Sequence, residues 1–289
     1  MPDVSIIIVN WNTRDLLASC LDSITQTAGD LEVEIIVVDN ASTDSSQAMV
    51  RERQPQVYLI ENDRNVGFAR ANNRALATAR GRYSLLLNSD TIVLPGTLET
   101  MVRFADLHPD AGIIGCKLLN RDGSLQESWA SFPTLKSEIL GQNVRKWQAV
   151  ADTPNAYIVD WVGGACMLVR SVTVDEVGPL DEDFFMYSEE TDWCYRVRQK
   201  DWLIYYLTSA GVVHLGGGSA SRASAEQLLR LYESKIRFFH KHYDPTQAML
   251  LRFGLVAANL SGLIRRALQC NEQEALSARW TLIRGLLRV

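Results

Sequence analysis

Val4-Ser5-Ile6-Ile7-Ile8-Val9 is a short, largely β-branched apolar run, and Asn10-Trp11-Asn12 ends it abruptly. Its length and its lack of polar alternation predict a strand buried on both faces. Val33 to Val38 repeats the pattern and ends at Asp39. Val57 to Ile60 forms a third such run, and Tyr83 to Leu87 a fourth, closed by Asn88-Ser89-Asp90. Helical stretches fall between them. Asn12-Thr13 is placed to cap a helix over Asp15 to Ile24, and Ser42-Thr43-Asp44 to start a second. A third helix is expected from about Gly67 to Ala79, and Pro95 opens a fourth. Buried strands alternating with helices predict an α/β fold, a mostly parallel sheet with helices on both faces. Ligands of such sheets bind beyond the carboxyl ends of the strands. The polar clusters at Asn10–Asn12, Asp39-Asn40 and Asn88–Asp90 all fall at those ends.

The second half is less regular. Asp160 to Arg170 reads as a strand around Gly163-Gly164. Phe184 to Tyr187 leads into the acidic Ser188-Glu189-Glu190-Thr191-Asp192 and a helix to about Lys200. Leu203 to Leu207 and Val212-Val213-His214 read as strands, the second closed by Gly216-Gly217-Gly218-Ser219. From Ala223 the pattern is helical, in segments near 223–242, 246–268 and 273–288.

The chain has 289 residues, 47% hydrophobic and 22% charged, enough for a core without staples. Five cysteines, at 20, 116, 166, 194 and 270, include no C-x-x-C pair, so a zinc site or redox pair is not expected and a reducing cytosol is. No signal peptide and no run of 18 apolar residues is visible. The net charge of −5 is unevenly spread: residues 228–289 carry 10 Lys+Arg and 4 Asp+Glu, a net of +6, against −11 elsewhere. An acidic body disfavours nucleic acid, and a basic tail suits an anionic surface. No G-x-G-x-x-G follows a strand, which argues against a dinucleotide-dependent dehydrogenase. Asn10-Trp11-Asn12-Thr13 lacks the Gly-rich basic loop expected of a nucleotidyltransferase.

VSIIIVNWN (Val4–Asn12), VVDNASTD (Val37–Asp44), NVGFARANN (Asn65–Asn73), LLLNSD (Leu85–Asp90), WVGGACMLVR (Trp161–Arg170) and FMYSEETDWCYR (Phe185–Arg196) occur in this order. Together they resemble a family-2 inverting glycosyltransferase with the Rossmann-like GT-A fold, most similar to bacterial rhamnosyltransferases of cell-surface polysaccharide synthesis. The resemblance covers roughly residues 3 to 245. It implies a catalytic domain over 1–222, with a nucleotide-binding half to about 110 and an acceptor half beyond it, and a C-terminal helical region over 223–289.

The resemblance also implies roles. Asp39 matches the residue that accepts the N3–H of a pyrimidine base; the alternative is a cap for the helix after Ser42, for which Asp44 is the better candidate. Asn10, Asn12, Asn65, Arg70 and Asn88 fall at nucleotide-binding positions; Arg70 suits a phosphate contact or a surface salt bridge. Asp90 ends the family's Asp-x-Asp and would bind Mg²⁺ or Mn²⁺, whereas Asn88 puts a neutral amide where the first carboxylate is usual. His214, 24 residues beyond Glu190, stands where related enzymes place a metal-binding histidine, or is structural. Glu190 matches the general base that takes the acceptor hydroxyl's proton, with Glu189 and Asp192 as supporting acids; three acids within four residues repel and should raise at least one pKa. Asp192 and Arg196 are spaced to pair on a helix face. Gly163 and Gly164 would line the sugar and acceptor pocket, with Trp161 as a stacking wall or a core residue. Gly216, Gly217 and Gly218 would close over the diphosphate or serve as a linker. Both Asp90 and Glu190 are present, which speaks against a non-catalytic binding subunit.

The implied donor is dTDP-L-rhamnose, with a UDP-sugar such as UDP-galactofuranose as the alternative. The implied acceptor is a saccharide or a polyprenyl-diphosphate-linked glycan. A cytoplasmic location at the inner membrane face is expected. The C-terminal helices would lie on the membrane surface, or pack on the core or on a second subunit of a homodimer.

Overall fold

The computed structural model describes residues 1–141, 145–151, 153–216, 224–268 and 273–287, with backbone alone for 262–268 and 273–279. In chain order the elements begin β1 Val4–Asn10, α1 Arg14–Thr27, β2 Val33–Asp39, α2 Ser46–Arg53, β3 Tyr58–Glu61 and α3 Phe68–Leu76. Next come β4 Tyr83–Asn88, β5 Thr91–Val93, α4 Thr97–Leu107, β6 Ala111–Leu119, β7 Leu125–Gln126, β8 Trp129–Ala130 and α5 Leu135–Leu140. β9 Gln148–Ala149, β10 Ala156–Ile158, β11 Trp161–Val162, β12 Cys166–Arg170, α6 Ser171–Val177, α7 Glu189–Arg198 and β13 Leu203–His214 follow. α8 Ala225–His242, α9 Pro245–Leu268 and α10 Gln273–Leu286 end the chain. Two compact units result: Met1–Phe132 with Arg145–Phe185 and Glu190–Gly217, and Pro133–Val144 with Met186–Glu189 and Gly218–Val289.

The first unit is built on a sheet of order β3-β2-β1-β4-β12-β6-β13-β10-β9. β1 to β4 run parallel, as does the β6–β13 pair, while β12 is antiparallel to both of its neighbours. The fold is therefore the mostly parallel α/β sheet that the sequence predicts. β1 shows why its apolar run has no alternation. Ile6 and Ile8 point into one hydrophobic cluster, with Leu17 and Leu21 of α1 and Met101 of α4. Ile7 points into the other, with Ala71 of α3 and Trp193 of α7. All three isoleucines are fully buried, and burying one stabilises by about 1.5–3 kcal/mol.

Several expectations change in detail. α2 begins only at Ser46, where Asp44 Oδ1 accepts from Ser46 N at 3.1 Å, so Asp44 organises this start as expected. Thr13 stands at the N-cap of α1 without a capping bond, because its hydroxyl is used elsewhere. The stretch from Asp160 to Arg170 is two strands, since Gly163 N turns to Ser128 O at 2.8 Å and sends β11 to pair with β8 in a separate small sheet. The two strands expected at 203–207 and 212–214 are one, β13, with an irregularity between Leu207 and Gly211 where it crosses β6.

The second unit is helical. Capping boxes open α5 (Thr134 with Ser137) and α8 (Ser224 with Gln227). Lys235 on α8 meets Glu138 on α5 at 2.6 Å, Tyr243 donates its hydroxyl to Pro133 O, and Arg252 on α9 donates to Leu286 O on α10. Among the described residues no helix is long and apolar enough to cross a membrane.

Candidate active site

Strand register assembles the first part of the site. Asn10 aligns with Asp39, and Val9 with Asn88, so the polar ends of β1, β2 and β4 reach the same level. Asp39 is 1% exposed and takes three hydrogen bonds: Asn10 Nδ2 on Oδ2 at 2.8 Å, and Ser42 N at 2.8 Å and Gln47 Nε2 at 2.6 Å on Oδ1. A buried carboxylate needs such donors, each worth about 1.5–3 kcal/mol. Asn10 Oδ1 accepts from the Thr13 hydroxyl at 2.7 Å. Asn12, in a left-handed conformation at φ 55°, donates its N–H to Ser42 Oγ and accepts from Thr43 N. An open cleft lined by Asn12, Thr13, Arg14, Asp15, Leu16 and Asp44 adjoins this network.

Thr13 also joins the network to the next turn, where its hydroxyl lies 2.8 Å from Ser89 Oγ. β5 folds back on β13, pairing Thr91 with His214, which brings Asn88, Asp90 and His214 together. His214 Nε2 is 3.3 Å from both Asp90 Oδ1 and Asn88 Nδ2. Leu215 N donates to Asp90 O at 2.8 Å. A Cβ at Gly216 would lie 2.0 Å from Asp90 Oδ2, so a larger residue there would push the Asp90 carboxylate aside. Gly217 and Gly218 lie outside the described residues.

The third part is Glu190, in the first turn of α7. It keeps some accessible surface, yet burial pushes its carboxyl up to about 7. Burial is the first cause of this shift, rather than the repulsion among neighbouring acids that the sequence suggests. Tyr187 and Ser188 precede it with φ of 73° and 63°, two consecutive non-glycine residues in the left-handed region, an arrangement that costs energy and concentrates at functional sites. A Cβ at Gly164 would stand 3.7 Å from Glu190 Cβ and 3.5 Å from the Phe68 ring. The next carbonyl, Ala165 O, accepts from Asn88 N at 3.0 Å. Glu190, Gly164 and Asn88 are thus contiguous.

Other sequence-derived candidates have different partners. Arg70 is ion-paired with Glu182 at 2.8 Å, and Asn65 Oδ1 accepts from Gly67 N in a local turn. Trp161, half-buried against the core, donates its indole N–H to Ser131 O. Asp192 is fully buried and bound by Arg196, which also donates to Val177 O and Pro179 O. Glu189 is buried and belongs to the second unit. Sequence reading missed Thr13, Gln47, Ser89 and Gln126. Thr13 was visible as a cap, but nothing marked its turn toward Asn10.

Residues 5–160 match the sequence profile described as Glycosyl transferase family 2. The chain belongs to that family. It is 27% identical to the N-acetylglucosaminyl-diphospho-decaprenol L-rhamnosyltransferase of Mycobacterium tuberculosis, across 96% of this chain and 98% of the relative. It is 28% identical to the rhamnosyltransferase WbbL of Escherichia coli, across 73% and 83%. Among solved structures, the mannosyltransferase PcManGT of Pyrobaculum calidifontis, in complex with GDP-Man and Mn²⁺, superposes with a TM-score of 0.59 at 18% identity, covering 99% of this chain and 86% of that one. TarS 1–349 of S. aureus in complex with UDP superposes at 0.56 and 17% identity, covering 88% and 70%. The fold of this family-2 glycosyltransferase is accordingly GT-A, followed by C-terminal helices.

Proposed function

We propose that this family-2 enzyme is a metal-dependent inverting transferase that moves L-rhamnose from dTDP-rhamnose onto a polyprenyl-diphosphate-linked saccharide. The near full-length likeness to the decaprenol-linked rhamnosyltransferase carries the substrate reading. The raised carboxyl of Glu190 beside Gly164 supports the mechanism.

The acceptor hydroxyl attacks the anomeric carbon while Glu190 takes its proton. The new C–O bond forms as the bond to the diphosphate breaks, on the opposite ring face, so configuration inverts and no enzyme nucleophile is needed. A base whose pKa lies near working pH is ionised often enough to accept a proton and still basic enough to pull. Gly163 and Gly164 give the sugar room to approach, with Trp161 as a wall of the same pocket. Asp192 holds α7 in place through Arg196, and Glu189 precedes the base on the same helix.

The donor set at Asp90 and His214 fits a divalent cation. Asp90 would hold Mg²⁺ or Mn²⁺ through its carboxylate and His214 through its imidazole, with the donor diphosphate sharing the cation. When bound, it neutralises charge developing on the leaving diphosphate. Asp39 accepts the base N3–H on the one lone pair its three donors leave, with Asn10, Asn12, Asn65 and Arg70 along the nucleotide path and the glycines from 216 to 218 over the diphosphate. Asn88 favours a deoxyribose donor, because its amide faces His214 rather than serving as a ribose-binding carboxylate.

In this reading residues 1–222 carry catalysis and 223–289 meet the membrane that holds the acceptor, on the cytoplasmic face. Exposed Met249, Leu250 and Phe253 on α9, exposed Trp280 on α10 and exposed Leu287 just after it support it. Arg284 lies over the Trp280 ring at 5.6 Å, an arrangement suited to a headgroup layer.

A donor screen with purified protein and a diphosphate-linked N-acetylglucosaminyl lipid tests the whole reading. Release of dTDP, lost in EDTA and restored by Mg²⁺ or Mn²⁺, is expected. Release of UDP instead would replace the donor, and full turnover in EDTA would remove the metal.

A further inference from the structure

Gln126 belongs to a strand of two residues and carries no sequence signal, yet its amide makes three contacts around the proposed metal site. Its Nε2 donates to His214 O at 2.6 Å and to Leu119 O at 3.3 Å. Its Oε1 faces His214 Nδ1 at 3.0 Å. Main-chain carbonyls only accept, so the amide nitrogen must be the atom that faces them. The amide oxygen then faces the ring, and an amide oxygen also only accepts. Nδ1 must therefore carry the proton. In the neutral ring this leaves the lone pair on Nε2, which faces the Asn88 amide and Asp90 Oδ1, each at 3.3 Å. Without a cation the Nε2 lone pair accepts from the donor nitrogen of Asn88, which sets that amide's orientation too; a cation on Nε2 would displace this hydrogen bond.

We propose that Gln126 is a positioning residue: it locks the His214 ring in the Nδ1–H tautomer and aims the Nε2 lone pair at the space beside Asp90, where a divalent cation binds. Two lone-pair atoms 3.3 Å apart with no proton between them suit a cation bridge. Asn88 completes the device from the other nitrogen. An aspartate at 88 would place a carboxylate against Nε2 and favour a proton there, in the cation's place. The neutral amide at 88 is thereby explained by this chain's own histidine. Partners of this kind commonly alter metal affinity about 10–100-fold when removed.

The inference rests on Asp90 and His214 being metal ligands, and the test separates the two. Protein labelled with ¹⁵N-histidine, free of metal, is examined by long-range ¹H–¹⁵N NMR at a pH where the rings are neutral; His214 is distinguished from the other three histidines by comparison with His214→Gln. Wild type should show His214 as the Nδ1–H tautomer. Gln126→Leu should populate the Nε2–H form and weaken Mn²⁺ binding, read in the presence of dTDP, by about 10–100-fold. Gln126→Met keeps the length and packing of the side chain but offers Nδ1–H no amide oxygen, and should shift the tautomer as the Leu variant does, which separates positioning from packing. An Nε2–H ring in wild type, or an unchanged tautomer in a folded Leu variant, overturns the proposal. If the tautomers behave as stated but Mn²⁺ leaves the His214 signals unbroadened, His214 is not a ligand, and the metal reading falls together with the role given to Gln126.

Discussion

Glu190 shows how one residue can trade stability for chemistry. Burial raises its carboxyl to about 7, so ionising it in the folded chain is costly. A carboxyl with a folded pKa above its unfolded one stabilises the fold fully below the unfolded pKa and loses that contribution as pH rises through about 7. Catalysis needs the ionised form, so kcat should rise with pH through the same range. Glu190→Gln keeps the shape but cannot take a proton. It should lower kcat by about 10²-fold or more, abolish the rise near pH 7, and raise Tm relative to wild type above that pH. Pre-steady-state assays and thermal melts from pH 5 to 9 measure all three, and a Gln variant turning over at the normal rate would move the base elsewhere. The type of this residue and its neighbours were legible in the chain; the cause of its pKa was not, because sequence shows adjacent acids and hides desolvation.

At the scale of elements, β6 is the informative case. It lies in the middle of the sheet between β12 and β13, yet no strand is among the sequence-based expectations between 111 and 159. Its Gly112 and Gly115 interrupt any β-branched run, and the structure explains them. A Cβ at Gly115 would lie 2.6 Å from Val162 Cβ, where β11 crosses the strand. Gly115→Ala should destabilise the protein by about 1–3 kcal/mol through overpacking, measured by urea unfolding; an unchanged midpoint would mean β11 does not press on this strand. The C-terminal helices make a second prediction. Their exposed Met249, Leu250, Phe253, Trp280 and Leu287 and their net positive charge should make the chain co-sediment with phosphatidylglycerol vesicles at low salt. Raising salt should release it, since each basic residue near the surface contributes about 1 kcal/mol that salt screens. Deleting 273–289 should weaken sedimentation and spare turnover of a soluble acceptor analogue. Wild-type protein that stays in the supernatant while forming dimers would assign this surface to a second subunit.

Across the whole molecule, what the sequence determined by itself was the α/β class, the parallel order of the first four strands' elements and the level at which polar residues gather. Those follow from local chemistry: a strand buried on both faces must be apolar throughout, and polar residues must stop where it ends. Residue types that carry chemistry, such as Asp39, Asp90 and Glu190, were legible for the same reason. Tertiary structure alone decided their partners. It bound Arg70 to Glu182 and Asp192 to Arg196, turned the Thr13 hydroxyl from its helix toward Asn10 and Ser89, and brought Gln126 under His214 from 88 positions away in the chain. Hydrogen bonds of this kind depend on which groups are left facing one another once β5 folds back on β13 and β7 pairs with β6. That register is set by packing over the whole sheet, and no periodicity along the chain encodes it.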